Sequence, residues 1–120
     1  MSPRTLDAIK ADMIRHGDRW YIPLMDFVDD FRRSPDHADL FDAPLTLDHP
    51  RYDALLASTI DSLAAEQQIE SPDWCWDVPA CPQPWFVSGI EDLKAMALVQ
   101  SPVYYRRRMI FVLENFPSRV

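Results

Sequence analysis

Pro50-Arg-Tyr-Asp-Ala-Leu-Leu-Ala-Ser-Thr-Ile-Asp-Ser-Leu-Ala-Ala-Glu-Gln-Gln-Ile69 carries the strongest periodic signal in the chain. Tyr52, Leu55, Leu56, Thr59, Ile60 and Leu63 recur at helical spacing, Pro50 suits a first-turn position, and Asp48 is placed to cap the start. The pattern predicts a central core helix from Pro50 to about Ile69. On its N-terminal side, Thr5 as N-cap, Leu6, Ile9 and Met13 on one face and Gly17 as a stop predict a helix of about three turns. After Trp20-Tyr-Ile-Pro23, the i, i+3, i+4, i+7 series Leu24, Phe27, Val28 and Phe31 predicts a second amphipathic helix ending before Ser34-Pro35. A turn of helix is expected around Ala38 to Phe41, and a loop through Ala43-Pro44.

On the C-terminal side, Ser71 to Gly89 holds four prolines, three tryptophans and one phenylalanine. Regular structure is blocked there while large apolar surface still needs cover, so an ordered Pro/Trp-rich loop wrapped over the core is expected. Ile90, Leu93, Met96 and Ala97 suggest a short helical face. Ser101-Pro102 offers an N-cap and first-turn pair for a last short helix through Tyr105, and Met109 to Leu113 is the one β-like run. The fold class is therefore mainly α: a compact single-domain helical bundle over residues 1–120, with an N-terminal helical half (1–49), a second half (50–120) and at most a short β segment near the C-terminus.

The chain has 120 residues, 48% hydrophobic and 26% charged, enough for one core without disulfides or metal. Gly17 and Gly89 are its only glycines, so no Gly-rich phosphate cradle can be written anywhere. No run of about 18 apolar residues predicts a membrane span. Met1 to Asp12 carries Arg4, Asp7, Lys10 and Asp12 and no apolar stretch of signal-peptide length, so a cytoplasmic location is expected. Cys75 and Cys81 are too few for a four-ligand zinc site and read as reduced thiols among Trp74, Trp76 and Trp85. No cofactor and no metal are expected.

The net charge is −7, but its distribution is uneven: residues 1–100 carry −10 and residues 101–120 carry +3. The excess of acid argues against a surface built wholly for nucleic acid. Arg106-Arg-Arg108, beside Tyr104, Tyr105 and Phe111, is the best functional candidate, because guanidinium groups bind carboxylate or phosphate bidentately and stack on aromatic rings. Three consecutive arginines on a helix diverge by about 100° each, so one can pin the acidic body while the others reach solvent. Arg32 and His37 have the spacing of a cation and an imidazole in a helical RNase, but Pro35 interrupts the helix that such a site needs. His16 reads as an imidazole at a helix C-terminus, and Asp26, Asp29, Asp30 and Asp36 to Asp42 as a solvated face.

Pro50-Arg-Tyr-Asp-Ala-Leu-Leu-Ala57, Ser71-Pro-Asp-Trp74, Pro84-Trp-Phe86, Leu93-Lys-Ala-Met-Ala-Leu98, Ser101-Pro102, Arg106-Arg-Arg108 and Ile110-Phe-Val112 follow one another over about the last 70 residues. In this order they resemble a group of small bacterial proteins, some free-standing and some with a repressor-type helix-turn-helix. Such proteins are often encoded beside nucleotidyltransferase-like partners in toxin-antitoxin-like pairs. The resemblance implies a non-enzymatic, antitoxin-like or regulatory protein that binds a protein partner. Residues 1–49 depart from the repressor-bearing members, being acidic and without a basic recognition helix.

The expected partner-binding residues are Trp85, Phe86, Tyr105, Arg106, Arg107 and Arg108, with Trp74, Trp85, Phe86 and Leu98 also readable as core. The leading expectation is a non-catalytic interaction module. A nucleic-acid-binding regulator using the arginine triad is the alternative, and a helical RNase using Arg32 and His37 the third.

Overall fold

The computed structural model describes residues 5–33, 46–87 and 103–112. Among them are four helices, α1 (Leu6–His16), α2 (Tyr21–Arg33), α3 (Pro50–Glu66) and α4 (Val103–Arg106), two 3-10 turns (Gly17–Arg19 and Asp73–Asp77), and two strands, β1 (Trp85–Phe86) and β2 (Ile110–Phe111). The fold is mainly α, as the periodicity predicts. The expected turn at Ala38 to Phe41, the loop at Ala43-Pro44, the helical face at Ile90 to Ala97, Leu98, the Ser101-Pro102 cap, His37 and Leu113 lie outside the described residues.

α3 is the axis of the molecule. Every residue from Asp53 to Asp61 is buried, so neighbours cover the helix on all sides along that stretch. Leu55, Leu56, Ile60 and Leu63 are fully excluded from solvent, each worth about 1.5–3 kcal/mol in transfer free energy. Leu6, Ile9 and Met13 of α1 and Leu24, Phe27, Val28 and Phe31 of α2 join the same core, with Cys75, Val78, Cys81, Tyr105, Ile110 and Val112 from the second half. Burial pushes the Cys75 thiol up to about 12, and both cysteines are free.

Helix ends follow the local chemistry with two departures. Thr5 Oγ1 accepts the Ala8 N–H at 3.1 Å, and Gly17 leaves α1 with φ +58°, a conformation that suits a residue without Cβ. α2 begins at Tyr21, before Leu24, because Pro23 falls in the first turn, where its missing N–H costs nothing. α3 is capped by His49 and not by Asp48: His49 Nδ1 accepts the Tyr52 N–H at 3.3 Å, and its ring stacks on that of Tyr52 at 4.1 Å.

Asp48 is engaged elsewhere. Lys10, buried in α1, donates to Asp48 Oδ1 at 2.5 Å, to Asp53 Oδ1 at 2.8 Å and to the Thr46 carbonyl. Burial alone would lower the Lys10 pKa, but hydrogen bonds to Asp48 and Asp53 more than reverse this and raise it. The contact ties α1 to the entrance of α3.

The second half packs along α3 from Tyr52 at its entrance to Asp61. The Pro/Trp-rich segment forms the Asp73–Asp77 turn and then pairs β1 with β2 in parallel, Trp85 opposite Ile110 and Phe86 opposite Phe111. Trp85 N–H donates to the Met109 carbonyl at 2.8 Å and Cys81 N–H to the Arg108 carbonyl at 2.9 Å, so the loop is fastened along the chain that follows α4.

Candidate functional site

Asp61 lies on the α3 face that meets α4, and its side chain is wholly buried. Its Oδ2 receives Arg107 Nη2 and Arg108 Nη1, each at 2.5 Å. Burial works against the carboxylate, but hydrogen bonds from Ser71, Arg108 and Arg107 outweigh it and hold the Asp61 pKa below the usual carboxylate range. Arg108 is itself buried and donates further to the Cys75 carbonyl at 2.8 Å and the Tyr104 carbonyl at 3.3 Å. One buried acid thus organises two consecutive arginines and, through Cys75, the Asp73–Asp77 turn.

Arg107 leaves this node toward solvent. Its guanidinium carbon lies 5.0 Å from the Trp76 ring centroid and 5.7 Å from that of Tyr104, so the cation is stacked by two aromatics and tethered at one end by a carboxylate. Trp76 is 68% exposed, the highest value for any large apolar side chain among the described residues. An indole this exposed normally moves freely; here Arg107 braces one of its faces.

The structure divides the six residues expected to bind a partner. Tyr105 is a correction: it is fully buried, its hydroxyl 3.1 Å from Thr59 Oγ1, because it is the inward face of α4 packing on α3. Arg108 is a second correction, its donors being directed inward at Asp61 and two carbonyls. Phe86 is half-buried and stacked on Phe111, with centroids 5.1 Å apart. Trp85 is half-buried against Trp20 at 5.5 Å and Tyr52 at 6.2 Å, and its cation is Arg51 at 5.6 Å, not the triad. Arg106 and Arg107 are exposed. Trp85 and the arginines therefore do not form one patch.

Trp76 is the residue that sequence reasoning assigned to the wrong environment, among the buried cysteines. The available signal was its setting between Asp73 and Asp77 in a turn flanked by Pro72 and Pro79.

Arg32 is occupied as a clamp, with Nη2 at 2.6 Å and Nε at 3.1 Å from the two carboxylate oxygens of Glu66. His16 Nδ1 lies 2.8 Å from the Asp12 carbonyl, and His49 is the α3 cap. An open cleft of about 400 Å³ at the α3 entrance is lined by Asp48, His49, Pro50, Arg51, Pro82 and Gln83. No group of three His, Cys, Asp or Glu side chains that could hold a metal occurs among the described residues, and no described helix is long and apolar enough to cross a membrane. No family model matches the chain, and no curated protein or solved structure matches it either.

Proposed function

We propose that the chain is a non-catalytic helical interaction module that binds and restrains a protein partner, with Trp76, braced by Arg107, at the centre of the contact. The observation that carries this is the 68% exposure of a tryptophan whose position is fixed from behind by a cation anchored on a buried acid. Tryptophan and arginine are the residues most enriched at the energetic centres of protein interfaces, and a side chain ordered before binding loses less entropy on association. The likeness of residues 50–120 to antitoxin-like bacterial proteins supports a cytoplasmic regulatory role and a nucleotidyltransferase-like partner encoded nearby.

The arginine triad is a weaker basis for nucleic-acid binding, because Arg107 and Arg108 share the Asp61 carboxylate on a chain of net charge −7. The test is affinity capture of the tagged chain expressed from its native gene neighbourhood. A stoichiometric partner is expected with the wild type, and Trp76→Ala weakens the purified complex by roughly thirtyfold or more, as for a central hot-spot residue. Recovery of no stoichiometric partner, or a partner held equally well by Trp76→Ala, overturns the proposal.

A further inference from the structure

Arg107 is tied at one point and open at the rest. A guanidinium carries its N–H donors in a planar fork, one edge of which matches the two oxygens of a carboxylate. In Arg107 only Nη2 is engaged, by Asp61 Oδ2, and that same oxygen also takes Arg108. No other hydrogen bond of the Arg107 side chain occurs among the described residues, and the side chain is 34% exposed although Asp61 is wholly buried. The Trp76 and Tyr104 rings, 5.0 and 5.7 Å from the guanidinium carbon, brace it. A cation oriented in this way, with donors to spare, loses little freedom when a second acceptor arrives.

The charges around it favour an anion. Arg106, Arg107 and Arg108 stand against the single Asp61 carboxylate, and Arg106 is exposed with no ion pair among the described residues. The exposed acids of the Asp73–Asp77 turn do not cancel this, since neither forms an ion pair with Arg106 or Arg107. Asp77, three residues after Trp74, eclipses that residue and not Trp76, and counting Asp73 still leaves the arginines in excess. At physiological ionic strength charges beyond about 8 Å are largely screened, so a docking group feels this local excess more than the whole-chain −7. A nucleic-acid strand draws its affinity from many phosphate contacts, whereas only Arg106 and Arg107 of the triad are exposed, a number that one or two carboxylates match. We propose that Arg107, braced by Trp76 and Tyr104 and flanked by Arg106, receives a glutamate or aspartate carboxylate from an acidic segment of the partner protein. The inference rests on the proposed role of Trp76 as the contact centre and adds the chemistry of the group that docks beside it.

The experiment titrates the full-length chain, labelled with nitrogen-15, at low ionic strength with capped glycine-rich peptides bearing two glutamates, two glutamines or two arginines, and with oligothymidylate. The Arg107 Nε–H resonance is assigned by its loss in Arg107→Lys and the Trp76 indole N–H by its loss in Trp76→Phe. A saturable shift of both is expected with the glutamate peptide and none with the other two peptides. Arg107→Lys keeps the charge but not the fork, and should weaken the glutamate peptide about fivefold, read at the Trp76 indole; Arg106→Gln should weaken it about twofold. No shift with the glutamate peptide, an equal response to the glutamine or arginine peptide, tighter binding of oligothymidylate at the same resonances, or glutamate affinity unchanged in Arg107→Lys each overturns the inference. Should Arg107→Lys fail to fold, unchanged affinity in Arg106→Gln, a change at an exposed side chain, overturns it instead. The two levels separate cleanly: a captured partner that needs Trp76 but is indifferent to Arg107→Lys and Arg106→Gln sinks only the carboxylate assignment, whereas a partner indifferent to Trp76 sinks the functional reading.

Discussion

Asp61 shows how much one side chain decides in a chain of this size. It is buried with both Arg107 and Arg108 on one oxygen, so Asp61→Asn removes the single negative charge that two guanidiniums share and leaves Arg108 buried beside a neutral amide. Breaking a buried ion pair from one side costs about 3–5 kcal/mol, and a loss of that size is expected in urea unfolding at pH 7. The pH dependence carries a definite sign. The folded-state pKa of Asp61 is depressed, so its contribution is present above the unfolded-state pKa and is lost as pH falls through the folded value. The gap between wild type and Asp61→Asn should therefore narrow progressively below about pH 4. A gap that stays constant into acid would mean that packing and not ionisation makes Asp61 important. Lys10 has the opposite sense, since its pKa is raised: its contribution is intact below the unfolded-state value and disappears as pH rises through the higher folded one.

At the level of elements, the entrance of α3 is where local reading and tertiary structure part company. The Thr5 cap, the Gly17 stop, the Pro50 start and the buried faces of α1 and α2 were legible because each depends on residues within one or two turns. The Asp48 cap failed because Lys10, 38 residues earlier, takes that carboxylate, a competition that local periodicity does not encode. The pairing of Trp85-Phe86 with Ile110-Phe111 was invisible for the same reason, although the strand at Ile110 was anticipated. In the candidate site the arginines were legible by type but not by direction. The inward turn of Arg108 is set by Asp61 on another helix, and the contact of Arg107 with the exposed Trp76 joins residues 31 positions apart, beyond the reach of local periodicity. The observed cap makes its own prediction. His49→Ala deletes the acceptor for the Tyr52 N–H and the ring stacked on Tyr52, which should cost about 1–2 kcal/mol, while His49→Asn restores an acceptor and recovers part of the loss. Chemical unfolding of the three proteins checks it; equal losses for Ala and Asn would assign the effect to stacking alone.

Across the whole molecule, one core joins both halves of the sequence. Leu55 is fully buried on α3 and belongs to the same cluster as Ile9 and Val28 from the first half and as Cys75, Tyr105 and Ile110 from the second. The two halves read from sequence are thus halves of a text and share one hydrophobic interior; neither has a separate core of its own among the described residues. A domain held together this way unfolds as one unit, because exposing the contacts of either half strips cover from α3. Helical circular dichroism and tryptophan fluorescence report different parts, the first dominated by α1, α2 and α3, the second by Trp20, Trp74, Trp76 and Trp85. Their urea transitions should coincide in the wild type. Leu55→Ala removes three buried carbon atoms from the shared interior and should lower stability by about 2–5 kcal/mol, moving both transitions together by the same amount. If the fluorescence transition stayed in place while the circular dichroism transition moved, the Trp-bearing segment would be a separately stable layer, and the role of α3 as common axis would fail.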